Sequence, residues 1–269
     1  GCWEGRDAFL VAWEDSRKGA ADVYAISFLP SGNRRGSDTQ MNDDAARNDQ
    51  WRPRLGDGPG EYLLTWIDRR NLTNDLYGQW VSANGGRGGT NLALYRENGE
   101  SRAVASEAAV SPGGPALVVA QLTREGDAGE IRGFLLPARG SGLQASFWIS
   151  DSLASAQASP AVAARSGEFA VAWLDSREAA PRIYGQRIAE NGTRIGSNHP
   201  VLAQEPTDAP IAFDLEEDPF GGYWLLYAEG VSADQRLWLA HLDGSLYADG
   251  APLEVAPGLG GSKENPGIA

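Results

Sequence analysis

The sequence predicts an all-β protein, a five-bladed β-propeller of four-stranded antiparallel blades, from three observations. The first is composition, because 34 glycines and 9 tryptophans in 269 residues are typical of β folds rich in turns. The second is strand segments with apolar residues on both faces, which require each sheet to be covered on both sides. The third is a repeat at steps of 53 or 54 residues, with its key position at Trp13, Trp66, Ala120, Trp173 and Tyr227.

Each repeat is predicted to contain four short strands in meander order. First strands are visible in segments 52–57, 159–164 and 209–214. Second strands carry the key position, in segments 9–17, 62–70, 116–124, 169–177 and 223–231. Third strands follow nine or ten residues later, in segments 22–28, 75–81, 130–136, 182–188 and 236–242. Turn residues such as Asn84-Gly85 then lead to a short fourth strand, as in segments 145–150 and 199–203.

The second strand of repeat four shows why the sheets are expected to pack radially. Phe169, Val171 and Trp173 alternate with smaller residues, so one face is bulky and the other mostly small. Similar sheets stacked around an axis cover both faces, which is the propeller arrangement. A two-sheet sandwich is the alternative, but it does not explain a period near 53 residues.

The repeats are predicted to form one domain over residues 1–269. Residues 263–269 resemble the first strand of repeat four, and we expect them to close the ring by completing the first blade. The alternative, five repeats taken from a longer array, stays open. The approximate repeat boundaries are 1–50, 51–103, 104–157, 158–208 and 209–262, followed by the closing strand.

The charge of the chain excludes some partners. Its formal net charge is −13, whereas nucleic-acid binding needs clustered positive charge. Residues 196–269 alone hold 12 acidic and 2 basic residues, a net charge of −10. No apolar run approaches the ~20 residues of a membrane-spanning helix. The single cysteine, Cys2, allows no internal disulfide.

A triplet of tryptophan, aspartate and arginine at alternate positions recurs in three repeats, followed by a tyrosine in the next strand. These units resemble the repeats of bacterial secreted β-propellers and are similar in layout to TolB-type propeller repeats. The resemblance implies a periplasmic or extracellular setting and leaves the activity open. The triplets are Trp13-x-Asp15-x-Arg17, Trp66-x-Asp68-x-Arg70 and Trp173-x-Asp175-x-Arg177.

The triplets are interpreted as structural. A catalytic group is needed once, in one geometry, whereas these aspartates recur around the ring. We expect each aspartate to accept turn N–H bonds and each arginine to bridge neighbouring blades. A catalytic role for the recurring carboxylates is the alternative, since glycoside hydrolysis uses paired carboxylates.

Unique residues are the better candidates for binding. The acidic segment Asp214, Glu216, Glu217 and Asp218 is predicted to be a loop inserted in repeat five and a docking site for a protein partner. A solvated charge run and a Ca²⁺ site are the alternatives. Segment 42–49 is a second candidate for Ca²⁺, although turn capping is favoured there. Two histidines leave little for a Ser-His-Asp triad or a histidine-rich zinc site, so no catalytic residue is predicted and Ca²⁺ is the sole cofactor considered.

Three classes of function remain. The favoured prediction is a non-catalytic interaction or scaffold subunit of a bacterial envelope or secreted assembly. The second is a carbohydrate-binding propeller, in which aromatic residues outside the repeat register stack on sugars rather than fill gaps between blades. The third is a glycosidase-like enzyme, which requires two or three carboxylates to converge in the central channel. The aromatic residues concerned are Trp3, Trp51, Trp80 and Trp148.

Overall fold

The structure of the protein is a computed structural model. It describes residues 8–44, 48–58, 60–97, 99, 101–123, 129–138, 140–152, 155–203, 208, 210–230, 235–255 and 257. Within these residues the chain forms five antiparallel sheets, and in every sheet the spatial order of the strands follows their order in the sequence. The fold is a five-bladed β-propeller, as the repeat predicts.

The strands of each blade are as follows. Blade one has β1 (Phe9–Lys18), β2 (Ala20–Phe28) and β3 (Arg34–Gln40). Blade two has β4 (Gln50–Gly58), β5 (Glu61–Asp68), β6 (Asp75–Ser82) and β7 (Arg87–Tyr95). Blade three has β8 (Arg102–Val110), β9 (Ala116–Thr123), β10 (Glu130–Leu136) and β11 (Ala145–Trp148). Blade four has β12 (Gln157–Arg165), β13 (Glu168–Asp175), β14 (Arg182–Ala189) and β15 (Arg194–Pro200). Blade five has β16 (Pro210–Glu217), β17 (Tyr223–Glu229), β18 (Arg236–Leu242) and β19 (Leu253–Glu254).

Blades two to five each have the four predicted strands, whereas blade one shows three among the described residues. The strand expected near residues 1–4 and the closing strand expected at residues 263–269 both lie outside the described residues. Ring closure by the two ends of the chain therefore stays a prediction. No helix long and apolar enough to cross a membrane occurs in the part of the chain that the structure describes.

The core consists of hydrophobic layers between consecutive blades. In blade four, Phe169 and Trp173 pack against blade three, whereas Ala170 and Ala172 pack against blade five. The predicted difference between a bulky and a small face of this strand is thus confirmed. Trp66 of blade two has the same role, because it packs in the layer between blades one and two. Both tryptophans are fully buried.

The inner strands β4, β8, β12 and β16 lie side by side around the middle of the ring. Gly56 shows how closely two of them approach, because a Cβ atom on Gly56 would lie 2.6 Å from the carbonyl group of Ala108. Glycine is therefore required where β4 of blade two meets β8 of blade three. This close packing positions the side chains that line the central channel.

Candidate functional site

The central channel is the candidate functional site. It contains a cavity of about 700 Å³ lined by β4, β8, β12 and β16. A second cavity of about 170 Å³ has residues of all five blades in its wall, and it shares Glu107 and Asp214 with the first. A cavity walled by several blades is the place where a propeller brings unlike side chains together.

Strand pairing identifies one position that is equivalent in blades two to five. At this position the inner strand pairs with the residue just before the key position of the repeat. All four residues at this position line the larger cavity. A single ring of equivalent backbone positions thus presents one cation, one methyl group and two carboxylates. The four residues, from blade two to blade five, are Arg54, Glu107, Ala161 and Asp214.

Glu107 is the carboxylate with the best defined surroundings. The Nε of Arg54 donates a hydrogen bond to its Oε1 at 2.6 Å. Burial among the inner strands raises the pKa of Glu107 to about 7, Arg54 opposes that shift, and the charge of Asp214 adds to it. The side chain still has 36% of its surface accessible, because it faces the cavity. A carboxyl group of this kind can hold or release a proton near neutral pH.

Glu216 has a similarly raised pKa. It lies two residues after Asp214 on β16 and therefore on the same face of the strand. Burial raises the pKa of Glu216 to about 7, and the neighbouring carboxylates Asp57 and Asp214 contribute to the shift. Asp57, Asp214 and Glu216 all line the smaller cavity. The channel thus holds four carboxylates from three blades, two of them with raised pKa values.

This arrangement supports acid–base chemistry. Where several carboxylates share a partly dry site, burial and mutual repulsion keep one protonated while another stays ionised. A protonated carboxyl can donate a proton to a leaving oxygen, and an ionised one can accept a proton or attack. Glu107, Asp214 and Glu216 all line the smaller cavity, so carboxylates of two blades share the channel.

The inner strands each contain a β-bulge beside the larger cavity. In blades two and four the bulges include Arg52 and Ser159, which have left-handed backbone conformations with φ of 56° and 52°. The preceding blade holds each of these bulges. The backbone N–H of Arg52 donates to Oε1 of Glu14 at 2.7 Å, and that of Ser159 donates to Oε1 of Gln121 at 3.3 Å. Bulges re-aim side chains, and both residues line the cavity.

Blades three and five have their bulges at a different place. The pairing shifts between Ala103 and Ala105 in β8, and between Pro210 and Ala212 in β16. These are also the blades in which the key tryptophan is replaced, by Ala120 and Tyr227. The bulge of the inner strand therefore lies at one position in blades two and four, which have the tryptophan in the next strand, and at another in blades three and five, which lack it.

The structure differs from the prediction that the acidic segment of repeat five forms a loop. Asp214, Glu216 and Glu217 lie on the inner strand β16 rather than in an inserted loop, and Asp218 lies in the turn that follows. The prediction of a loop is wrong because it aligned Pro210 with Pro53. Pro210 pairs with Glu229, two residues after the key position, so its counterpart in blade two is Gln50, which pairs with Asp68.

The four acidic residues do not form one surface. Asp214 and Glu216 face the channel. Burial raises the pKa of Glu217, and Arg165 of blade four opposes that shift. The Oδ2 of Asp218 lies 3.1 Å from Nε2 of His241 in blade five. Docking of a protein partner on this segment stays a prediction.

The repeated triplets hold the ends of the second strands. In blade two, Asp68 accepts hydrogen bonds from Nε1 of Trp66 and from the backbone N–H of Arg70, both at 2.8 Å. The guanidinium of Arg70 reaches Asp43, which follows the outer strand of blade one, at 2.9 Å. Arg70 also covers the ring of Tyr77, with 4.0 Å from Cζ to the ring centroid.

The same contacts recur in two other blades. In blade four, Arg177 pairs with Asp175 and with Asp151 of the preceding link, both at 2.8 Å. In blade one, Arg17 pairs at 2.5 Å with Asp15 and with Asp38. Asp38 lies on β3 of the same blade, so this arginine does not bridge two blades. In these contacts the triplets join strands and links, not channel residues.

Segment 42–49 was the second candidate for calcium. The side chain of Asn42 is buried and donates from Nδ2 to Asp22 at 2.8 Å and to Gln50 at 2.9 Å, while its Oδ1 accepts the N–H of Val23. Residues 45–47 lie outside the described residues. Among the residues that are described, no three histidine, cysteine or acidic side chains are grouped so that they could hold a metal ion. Calcium binding stays a prediction.

Four charged channel residues were not identified from the sequence: Arg52, Arg54, Asp57 and Glu107. The available signal was a charged side chain inside a strand whose other residues are mostly small or apolar. Glu107, for example, lies in the otherwise small and mostly apolar strand β8. In a repeat protein, a polar residue that breaks the repeat at a buried position indicates a site.

Comparisons with known proteins bear on the fold. No family model matches the sequence, and no curated protein is similar to it. The chain is similar to a crystal structure of a protein of unknown function from Dyadobacter fermentans DSM 18053. The TM-score is 0.63 at 10% identity, and the match covers 90% of this chain and 73% of that one.

Two further structures agree in fold. An endo-arabinase from Bacteroides thetaiotaomicron VPI-5482 has a TM-score of 0.51 at 13% identity, over 88% of this chain and 93% of that one. A structure from a study of two prolyl endopeptidases has a TM-score of 0.56 at 15% identity, over 94% of this chain and 33% of that one. The propeller architecture is therefore shared with solved proteins. The layout similarity to TolB-type repeats stays a prediction.

Proposed function

We propose that the chain binds a glycan in its central channel and hydrolyses a glycosidic bond there. The observation that carries this proposal is the convergence of Glu107, Asp214 and Glu216 in one channel, with raised pKa values for Glu107 and Glu216. Glycoside hydrolysis needs one carboxyl that donates a proton to the leaving oxygen and a second that acts as base or nucleophile. Glycosidase-like chemistry was the third prediction from the sequence, and the channel supports it best.

Glu107 is the proton donor in this proposal. It lines both cavities, and its pKa of about 7 leaves it protonated in part at neutral pH. Asp214 is the second carboxylate, because it occupies the equivalent ring position in blade five and its charge acts on Glu107. Arg54 holds Oε1 of Glu107 and so orients the carboxyl group.

The comparison with the endo-arabinase adds a starting substrate. At 13% identity the similarity concerns the fold, so the activity named for that protein is a reason to begin with arabinan and no more than that. A location in the periplasm or outside the cell would suit a polysaccharide substrate, and this location stays a prediction. The role as a scaffold subunit of a larger assembly also stays a prediction.

The test is a hydrolysis screen of the full chain against arabinan and other plant and bacterial polysaccharides, read as new reducing ends. Glu107→Gln is expected to lower the rate about 10²–10⁴-fold, because the amide cannot donate the proton. Glu178→Gln is a matched control. Glu178 also pairs with an arginine, Arg182, and its side chain is 37% exposed, but it lies away from the channel.

The pH profile supplies a second readout. If Glu107 donates the proton, the rate falls as the pH rises above about 7, because the acid form is lost. Hydrolysis that survives Glu107→Gln unchanged would contradict the assigned role. Glycan binding by the wild-type chain without any hydrolysis would favour the carbohydrate-binding prediction instead.

A further inference from the structure

We propose that Arg52 forms a subsite for the carboxylate of an acidic sugar, so that the glycan bound in the channel carries uronic acid. This inference rests on the proposed function and names its substrate class. Arg52 lines the larger cavity together with Ser159, Ile211 and Phe213. A guanidinium matches a carboxylate with two parallel N–H donors, which makes arginine the usual residue for such recognition.

The backbone places Arg52 in the cavity wall at a cost. Its φ of 56° is in the left-handed region, which a residue other than glycine adopts only when its surroundings enforce it. The surroundings do so through Glu14 of blade one, whose Oε1 accepts the N–H of Arg52 at 2.7 Å. Strained residues held in this way are concentrated at ligand sites.

The guanidinium of Arg52 is left available for a ligand. Its Nη1 donates to the backbone carbonyl of Val104 in blade three. Among the residues that the structure describes, it makes no ion pair, whereas Arg54 is paired with Glu107 at 2.6 Å. An arginine has five N–H donors and one carbonyl uses only part of them. Arg52 is exposed in the wall of the larger cavity, and of the two arginines there it is the one without a carboxylate partner among the described residues, so an anionic ligand can reach it.

The remaining wall suits a sugar. Ser159, at the equivalent bulge position of blade four, also lines the cavity and offers a hydroxyl group. Phe213 and Ile211 of blade five add apolar surface, and Ile211 is 39% exposed. Pockets for small molecules combine apolar walls with a few polar groups that fix orientation. Arg52 is then the group that separates acidic from neutral sugars.

The test measures binding by calorimetry with four probes: tetragalacturonate, tetraglucuronate and the carboxyl-reduced form of each. The protein is the full chain carrying Glu107→Gln, so that no probe is hydrolysed. We expect at least one acidic probe to bind about tenfold more tightly than its reduced form, and its affinity to fall with added salt.

Variants of Arg52 decide whether this residue is responsible. Arg52→Asn removes the charge and keeps a residue that tolerates the left-handed backbone, and it is expected to abolish the preference for the acidic probe. Arg52→Lys should restore part of the preference. Arg34→Asn, on the outer strand β3 and 61% exposed, is the control and should change nothing.

Two results would overturn the inference. One is equal affinity for acidic and reduced probes, or failure of all four to bind. The other is a preference for the acidic probe that Arg52→Asn leaves unchanged. In either case, hydrolysis of a neutral polysaccharide that depends on Glu107 would leave the proposed function standing, so the two failures can be told apart.

Discussion

Blades two and four differ from blades three and five in which residues they contribute: packing residues of the repeat in the first pair, and channel carboxylates at the equivalent ring position in the second. Blades two and four have the key tryptophan and the aspartate and arginine that follow it. Blades three and five have lost that tryptophan, at Ala120 and Tyr227. Yet Glu107 and Asp214, the carboxylates of the equivalent ring position, come from blades three and five. The repeated residues hold the ring together, and the blades that depart from the repeat supply the carboxylates at that position.

The largest expected effect tests whether the repeated tryptophan stabilises the packing between blades. Trp173→Ala should lower the free energy of unfolding by about 3–5 kcal/mol, because its side chain is fully buried between blades three and four. Trp13→Ala is the matched variant at the same repeat position, and its half-buried side chain should cost about 1–2 kcal/mol. Urea denaturation measures both. A loss below about 1 kcal/mol for Trp173→Ala would contradict the role of the tryptophan between blades.

The aspartate of the triplet is the next test. Asp68→Asn should cost about 2–4 kcal/mol, because the carboxylate is fully buried and partners Arg70 and the indole of Trp66. The equivalent change Asp15→Asn should cost less, since its partner Arg17 is 49% exposed and the ion pair is screened by water. Calorimetric unfolding would show the order. Equal losses of unfolding free energy in the two variants would mean that burial does not determine how much the aspartate of the triplet stabilises the fold.

The features of the fold that depend on recurring residues could be predicted from the sequence, whereas the channel, which depends on residues that occur once, could not. The period, the order of strands and the buried faces followed from residues that recur in several blades, such as Trp66 and Trp173. The channel residues occur once each. Asp214 and Glu216 stood out because acidic residues cluster there, but the sequence does not show that Pro210 corresponds to Gln50 rather than to Pro53. Glu107 was missed because a single charge in a strand does not show which way it faces.

A pH experiment tests the channel in blade five. The raised pKa of Glu216 means that the folded chain holds this proton more tightly than the unfolded chain does. That contribution to stability is complete below about pH 4.5 and is lost as the pH rises through about 7. Thermal unfolding between pH 5 and 8 should therefore depend less on pH in Glu216→Gln than in the wild type.

Glu178→Gln is the control for that experiment. The hydrogen bonds from Tyr184 and Arg182 lower the pKa of Glu178, so its contribution has the opposite sign and is present at neutral pH. Removing it should leave the fall in stability between pH 5 and 8 unchanged. If Glu216→Gln and Glu178→Gln show the same slope, Glu216 is not a carboxyl of raised pKa.

The smallest expected effect concerns His241, also in blade five. Its Nδ1 lies 2.8 Å from Asp249 and its Nε2 lies 3.1 Å from both Asp218 and the carbonyl of Gly221. Partial burial opposes protonation, but these hydrogen bonds, led by that of Asp249, raise the pKa of His241 above 6.5. The imidazolium therefore adds stability at low pH that is lost as the pH rises through this raised pKa.

His241→Gln should remove that contribution, on the order of 0.5–1 kcal/mol for a mostly surface ion pair. The measurement is the difference in melting temperature between pH 5.5 and pH 8.5. His199→Gln is the control, since the ring of His199 stacks on Tyr247 and has no ion pair with a carboxylate among the described residues. A difference between the two pH values that is the same in His241→Gln and in the wild type would show that the cluster does not titrate.

The glycine at position 56 has a consequence for the width of the channel. Gly56 has no side chain, so the inner strands of blades two and three can approach each other closely there. This close approach limits the width of the channel. Gly56→Ala would push β4 away from β8 and move Arg54 relative to Glu107, which it now touches. A substitution at position 56 is therefore expected to change the width of the channel without placing a side chain in the wall of either cavity.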